Sequence, residues 1–222
     1  MPAKRPLTVE RIVAAAAAVA DRGGLGAVSM RKVGKELGVE AMSLYHHVAS
    51  KKVLVDALSE WVVEQIELPA PADPWRPAMT SRARSARDVM RRHPWGLGLL
   101  ESRRQPGPAS LRYHDRVLGC LRHNGFPVPL AAHAFTAIDA YVFGFVLTEL
   151  NLPFAPGEQP DDFVDQLTLP VGTYPHLAEM VEVLVVGQGY DFADEFEFGL
   201  ELLLDGLAAR LAVGTPAPVG AT

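Results

Sequence analysis

Residues 29–52 hold the side chains whose types and spacing best suit one chemical task, contact with double-stranded DNA. Hydroxyl, imidazole and ammonium groups recur in this segment, and such groups commonly bind phosphate oxygens. Small and polar side chains lie between them, at positions suited to reach base edges. The candidate phosphate contacts are Ser29, Tyr45, His47 and Lys51, the candidate base contacts are Glu40, Ala41, Ser43 and His46, and Arg31 completes the predicted DNA-binding set.

Two short helices joined by a glycine turn are predicted to position these side chains. Ser29 is a typical N-cap, Gly38 supplies the left-handed residue of a tight turn, and a second helix should run from about Glu40 to His47. An inward-facing apolar set fixes the angle between the helices: Val33, Leu37, Val39, Leu44 and Val48. This is the pattern of a helix-turn-helix, which places its second helix in a major groove. Because the same spacing also occurs in proteins that never bind DNA, an all-α enzyme or scaffold is the alternative.

Charge is distributed unevenly, and the basic part coincides with the predicted helix-turn-helix. The 222-residue chain has 21 Lys and Arg against 26 Asp and Glu, a net charge of −5. Residues 22–52 have six basic and two acidic side chains, whereas residues 123–222 have one arginine and 14 acids. Phosphate binding needs only a local basic surface, so the acidic average does not exclude DNA. A second cluster, Arg82, Arg84, Arg87, Arg91 and Arg92, is interpreted as a solvated helix face that offsets the acidic C-terminal half.

No combination of residues in the sequence indicates catalysis or a bound metal. Cys120 and His123 are three residues apart on one predicted helix, but nothing in the sequence supplies the rest of a nucleophilic site, so Cys120 is interpreted as a buried structural residue. The seven histidines show no metal-ligand spacing. We therefore expect no enzyme, no catalytic residue, no metal and no cofactor. The single cysteine favours a reducing cytoplasm. The sequence contains no run of 18 strongly apolar residues, so we expect no membrane-spanning segment.

The hydropathy pattern predicts helices throughout, which makes the expected fold all-α. The linker-like stretch at residues 68–72 divides the chain into residues 1–67, a three-helix DNA-binding domain with the helix-turn-helix, and residues 68–222. In the second part, helices are expected over about 73–93, 95–102, 108–123, 129–150 and 174–185, with a last helix from 191. A loop over 152–173 and a tail from 214 complete the prediction.

Several of these segments resemble a known family. The alanine-rich first helix, Ser29-Met30-Arg31, Leu37-Gly38-Val39, Leu44-Tyr45-x-His47-Val48 and Ser50-Lys51 resemble the TetR family of bacterial transcriptional regulators over residues 7–58. His93-Pro94-Trp95 and residues 141–145 and 196–200 are more weakly similar to the tetracycline-repressor-type C-terminal domain. The resemblance implies a homodimer that binds a palindromic operator, with a helical C-terminal domain for ligand binding and dimerisation. Two departures concern the helix-turn-helix: Gly34 stands where the family usually has alanine, and Glu40 replaces the usual serine or threonine cap.

Two predicted helices, at 129–150 and from 191, are apolar on more than one side. A single chain of this size cannot cover both fully, and the family implies that each pairs with its copy in a four-helix interface. The predicted interface residues are Ile138, Val142, Phe145, Phe196, Leu200, Leu203 and Leu207.

Aromatic and aliphatic side chains of the C-terminal half are expected to line a cavity for a small, largely apolar effector. The candidate ligand-binding residues are Met90, Arg91, Trp95, Leu100, Tyr113, His114, Val117, Leu121, Phe143 and Glu149. The tetracycline repressor uses a magnesium-bound drug, but no clear histidine-plus-acid pair supports a magnesium site here. The predicted function is a repressor that the effector releases from its operator, and an activator or a ligand-blind DNA-binding dimer is the alternative.

Overall fold

The computed structural model of the chain describes residues 6–102, 106–153 and 173–214, and every regular element in these ranges is helical. The α-helices are α1 (Val9–Gly23), α2 (Met30–Leu37), α3 (Ala41–Tyr45), α4 (Lys51–Glu64), α5 (Trp75–Arg92), α6 (Trp95–Ser102), α7 (Pro108–His123), α8 (Val128–Glu149), α9 (Pro175–Met180) and α10 (Phe192–Gly214). A π-helical turn, Val181–Val185, follows α9. The all-α prediction is confirmed, while most of the predicted loop at 152–173 and nearly all of the predicted tail lie outside the described residues.

Local sequence signals explain where the first helices begin and end. The Ser29 hydroxyl accepts a hydrogen bond from the Lys32 backbone N–H at 3.2 Å, and Ser50 does the same for Val53 at 3.2 Å. Each cap satisfies a backbone donor that has no partner within its helix. Gly38 ends α2 in the left-handed region, with φ +67° and ψ +33°. Because glycine has no Cβ, it adopts this conformation at little cost and lets the chain reverse into α3.

The N-terminal helices pack around the alanine-rich face of α1. This helix contacts α2 and α4, and α2 in turn contacts α3. Ile12, Ala16, Val33, Leu44 and Leu54 are fully buried where the four helices meet. The small side chains of α1 let its neighbours approach closely. Helix α3 is only five residues long and packs against α2, with Leu44 fully buried.

Helix α8 is the centre of the C-terminal half, where it packs against α5, α7 and α10. By length and composition alone α8 is apolar enough to cross a membrane, contrary to the expectation from the sequence. However, its acids Asp139 and Glu149 form ion pairs with Arg82 and Arg87 of α5. Its contacts with α5, α7 and α10 account for part of this apolar composition, because each packing face favours apolar side chains.

The arginines of α5 are only partly the solvated face that the sequence suggested. Arg82 and Arg87 are buried against α8, because its carboxylates neutralise them. Arg84 pairs with Glu197 of α10 at 2.6 Å, and Arg91 lies 3.3 Å from Glu149. These pairs confirm that the cluster offsets C-terminal acids, and they leave little of its charge for a second nucleic-acid surface.

Candidate DNA interface and ligand cavity

The short helix α3 presents polar and apolar side chains to solvent around one buried anchor. Leu44 is fully buried, whereas Met42 is 71% exposed and Tyr45 is 44% exposed. Ala41 and Ser43 are half-buried. Glu40, His46 and His47, which flank the helix, are exposed. Hydrophobic anchoring on one side therefore fixes α3 and leaves the predicted DNA-binding side chains accessible.

The remaining predicted DNA contacts lie at the N-termini of α2 and α4. Ser29 precedes α2 and is half-buried, while Arg31 and Lys51 are exposed in the first turns of the two helices. Neither cation forms an ion pair within the described ranges, and Glu36, an acid of α2, pairs with Arg22. Helix N-termini and free cations both attract phosphate, so these positions suit contacts with a DNA backbone.

Gly34 lies at a close approach between α2 and the chain that leads into α3. A Cβ at this position would lie 2.8 Å from the carbonyl oxygen of Val39 and 3.2 Å from the backbone nitrogen of Ala41. The Val39 N–H donates to the Gly34 carbonyl at 2.9 Å across the turn. The sequence showed only that this glycine departs from the family's usual alanine, whereas the structure gives it a packing role.

Met42 is a candidate base contact that the sequence analysis missed. Its large apolar side chain projects from α3 with no other side chain covering most of it. Apolar groups in a major groove contact the methyl group of thymine. The signal was present in the sequence, because Met42 lies on the face of α3 away from its buried neighbour Leu44.

A cavity of about 500 Å³ lies between α4, α7 and α8. Its wall combines aromatic rings, aliphatic side chains and a few polar groups, as ligand pockets usually do. The lining residues are Ser59, Val63, Ile66, Leu100, Pro106, Ser110, Tyr113, His114, Phe135, Thr136, Asp139, Ala140 and Phe143.

Four of the ten predicted ligand residues line this cavity: Leu100, Tyr113, His114 and Phe143. The other six lie elsewhere, for physical reasons that periodicity does not reveal. Met90, Val117 and Leu121 are fully buried in the helix core, Arg91 and Glu149 belong to an ion-paired cluster, and Trp95 lies at the junction with α1. The sequence analysis also missed the contribution of α4, because that helix was assigned wholly to the DNA-binding part.

A hydrogen-bonded triad closes one side of the cavity. The Arg82 guanidinium donates to the Tyr113 hydroxyl and to Oδ1 of Asp139, and the Tyr113 hydroxyl donates to the same Oδ1 at 3.0 Å. Burial raises the pKa of Tyr113 well above its usual range, so the phenol keeps its proton. Arg82 also lies over the rings of Tyr113 and Phe135, at 5.5 and 5.9 Å from the centroids.

A second cluster joins α1 to the start of α6. Oδ1 of Asp21, near the end of α1, lies 2.8 Å from His93 Nδ1 and accepts from Trp95 Nε1 at 2.7 Å. Trp61 of α4 packs edge-on to His93, with ring centroids 5.0 Å apart, and stacks on Trp95 at 6.4 Å. Three helices are thus fastened at one point between the N-terminal helices and the rest of the chain.

Glu60 of α4 fastens the cavity wall to α7. Its carboxylate accepts from the backbone N–H of Ala109 at 2.7 Å and from the Ser110 hydroxyl at 3.1 Å. A carboxylate at a helix N-terminus is favoured by the unsatisfied N–H groups and the helix dipole. Gly107 leaves room for it, since a Cβ there would lie 2.3 Å from the carboxyl carbon.

The predicted dimer stripe faces the interior of the single chain. Ile138, Val142, Phe196 and Leu200 are fully buried and Leu207 nearly so, because α8 and α10 of one chain pack against each other; Phe145 and Leu203 are half-buried. The exposed apolar side chains of these helices lie on another face and include Leu147, Phe198 and Leu202, which are 58%, 65% and 59% exposed. Among the described residues no group of three or more His, Cys, Asp and Glu is arranged to hold a metal ion.

Family models match most of the chain. Residues 12–58 match the bacterial regulatory proteins of the tetR family, and residues 68–211 match the tetracyclin repressor-like C-terminal domain. The HTH-type transcriptional repressor DrrR1 of Streptomyces coeruleorubidus is 36% identical over 94% of this chain and 80% of its own length. The tetracycline repressor protein class A from transposon 1721, of Escherichia coli, is 30% identical over 91% of both chains.

Solved structures show the same architecture. Apo ActR from Streptomyces coelicolor superposes with a TM-score of 0.75 at 29% identity, covering 95% of this chain and 99% of ActR. The complex of ActR with actinorhodin gives a TM-score of 0.72 at 30% identity, over 93% of this chain and 99% of ActR. Together with the exposed helix-turn-helix, these similarities lead to one conclusion: the chain belongs to the TetR family and is a transcriptional regulator, not an enzyme.

Proposed function

We propose that the protein is a cytoplasmic repressor that binds a palindromic operator as a homodimer and is released when an aromatic small molecule occupies the cavity. Residues 1–67 form the DNA-binding domain in this account, and residues 68–222 bind the ligand and the second copy. Two similarities support it: DrrR1 is named as a repressor, and ActR was crystallised with actinorhodin.

The observation that carries the proposal is the position of α4. This helix contacts α1 in the N-terminal part, yet its residues Ser59 and Val63, together with Ile66 just after its end, line the cavity. A molecule in the cavity therefore touches the helix that supports the DNA-binding part. The effector does not need to contact DNA, because α4 connects the cavity to the DNA-binding part.

Release requires that the effector prefers a conformation in which the two copies of α3 no longer fit successive major grooves. Weakening DNA binding by about a hundredfold requires a preference of about 2.7 kcal/mol for that conformation. The fastenings at Asp21 and Glu60 restrict how α4 moves, because they tie it and its neighbours to α6 and α7. A shift of α7 at the cavity would thus be passed to α4.

The dimer is proposed to use the exposed apolar face of α8 and α10 instead of the stripe expected from the sequence. Phe198 and Leu202 are one helical turn apart on α10, and Leu147 is exposed near the end of α8. Replacing Leu202 with glutamate should give folded monomers with greatly weakened operator binding, measured by light scattering and anisotropy. Leu200→Glu, in the buried stripe, should instead unfold the protein.

The direct test of function is an electrophoretic mobility shift with the DNA upstream of the protein's own gene. We expect a shifted dimer complex that disappears when an effector is added. Tyr45→Ala and Lys51→Ala should weaken binding to all sequences, whereas Ser43→Ala and His46→Ala should change base preference. Operator binding that no aromatic compound affects would favour the ligand-blind alternative, and a complex that recruits rather than blocks polymerase would favour an activator.

A further inference from the structure

We infer that the cavity selects planar aromatic molecules that carry hydrogen-bond donors, such as hydroxyl or ammonium groups, and discriminates against carboxylates. This inference rests on the proposed function, in which the cavity is the effector site. It follows from the directions of the hydrogen bonds in the cavity wall, which leave acceptors but few fixed donors for a ligand.

The proton of Tyr113 is not available to a ligand. The hydroxyl donates to Oδ1 of Asp139 at 3.0 Å and accepts from Arg82, so both of its directional bonds are used within the protein. Arg82 is itself almost fully buried behind these two side chains. Nη1 of Arg82 is used in both bonds of the triad, whereas Nε and Nη2 have no partner among the described residues. Both of these nitrogens are completely buried, so they are not exposed to a ligand in the cavity.

The protons of His114 and Ser110 are used in the same way. Nδ1 of His114 lies 2.6 Å from the carbonyl oxygen of Ser110, and since a carbonyl only accepts, Nδ1 carries the proton. In the neutral ring Nε2 is then an acceptor. The Ser110 hydroxyl donates to Glu60, which leaves its oxygen to accept.

Asp139 supplies the charged acceptor. Oδ1 receives both bonds of the triad, whereas no described residue donates to Oδ2. The side chain is 15% exposed and lines the cavity. The Thr136 hydroxyl rotates to donate or to accept, so it favours neither ligands with hydrogen-bond donors nor carboxylate ligands. Among the described residues that line the cavity, Asp139 is the one Asp, Glu, Lys or Arg, so a carboxylate ligand meets a like charge and no lining lysine or arginine.

Aromatic side chains set the shape of the ligand. The rings of His114 and Phe135 lie 4.6 Å apart at 35°, and Tyr113 meets each of them edge-on. Phe143 adds a further ring to the lining. Offset stacking favours flat partners, and a volume of about 500 Å³ accommodates a molecule of three or four fused rings.

Three anthracene derivatives with a substituent at the same central carbon test the inference: aminomethyl, hydroxymethyl and carboxylate. Their binding to the intact protein is followed by anthracene fluorescence at pH 8. We expect the aminomethyl compound to bind at least about tenfold more tightly than the carboxylate, because one pairs with Asp139 and the other is repelled. The neutral hydroxymethyl compound should lie between them.

Asp139→Asn should reduce the preference for the aminomethyl compound to about threefold or less. His114→Phe, which keeps an exposed ring and removes the acceptor, provides a second variant if Asp139→Asn folds poorly; it should weaken only the two donor ligands. Glu197→Gln removes an acid outside the cavity and should change nothing. Equal binding of all three compounds, or an unchanged preference in both cavity variants, would overturn the inference while leaving the effector site intact. If none of the compounds binds, the effector site itself is wrong, and the inference falls with it.

Discussion

The buried ion pair between α5 and α8 offers a sharp test of how the C-terminal half is held together. Nε of Arg87 donates to Oε2 of Glu149 at 3.1 Å, and Nη2 donates to Oε1 at 2.7 Å. The two side chains are 10% and 6% exposed. Replacing Glu149 with leucine removes the carboxylate and leaves the Arg87 charge buried among the rings of Phe145 and Phe196.

The expected loss is about 3–5 kcal/mol of unfolding free energy, the usual cost of removing one partner of a buried pair. For a chain of this size each kcal/mol lowers the Tm by roughly 2–4 °C, so the Tm should fall by roughly 6–20 °C. Glu197→Gln, which breaks the exposed pair with Arg84, is the matched control and should cost less than about 1 kcal/mol.

Guanidinium unfolding followed by circular dichroism measures these differences. All variants are compared at one protomer concentration, because the stability of the proposed dimer depends on it. The double variant Arg87→Met with Glu149→Leu should recover most of the loss, since it leaves no uncompensated charge. A single variant that costs less than about 1 kcal/mol, or a double variant no more stable than Glu149→Leu, would refute the reasoning.

Three further outcomes are expected. If Met42 contacts a thymine methyl group, replacing that thymine of a selected operator with uracil should cost the wild type about 1 kcal/mol of binding free energy. The same replacement should cost the Met42→Ala variant nothing, and equal losses in the two proteins would contradict the contact. Asp21→Ala removes the acceptor shared by His93 and Trp95, so the ratio of operator affinities without and with effector should fall about fivefold. An unchanged ratio would show that this cluster does not transmit effector binding to the DNA-binding part. Burial raises the pKa of the Cys120 thiol, so the native protein should resist a disulfide reagent that reacts promptly in guanidinium, and rapid native labelling would contradict its burial.

The N-terminal part was predictable because its signals are local. Ser29, Gly38 and Leu44 each act within a few residues, through a cap, a left-handed turn and a buried anchor. Hydroxyl caps and glycine turns depend on backbone geometry that neighbouring residues fix. The helix-turn-helix, its exposed side chains and most helix bounds therefore agree with the sequence analysis.

The C-terminal half was less predictable because periodicity does not say which apolar stripe meets which neighbour. Phe196 and Leu200 form the regular stripe expected at the dimer interface, yet they pack against α8 of the same chain. Phe198 and Leu202, outside that stripe, are the exposed ones. Likewise Glu149 was expected in the cavity, but an arginine 62 positions earlier in the chain pairs with it. Contacts this distant in sequence are set by tertiary packing.

The central claim is that occupancy of the cavity controls release from DNA, and filling the cavity tests it most directly. Ala140 lines the cavity on α8, so Ala140→Trp should occupy it, whereas His133→Trp adds the same ring at an exposed position outside the lining. Fluorescence anisotropy of a labelled operator measures affinity without and with an effector that releases the wild type. We expect His133→Trp to be released like the wild type, and Ala140→Trp to bind the operator but stay bound when the effector is added. Full release of Ala140→Trp at the wild-type effector concentration would contradict the account.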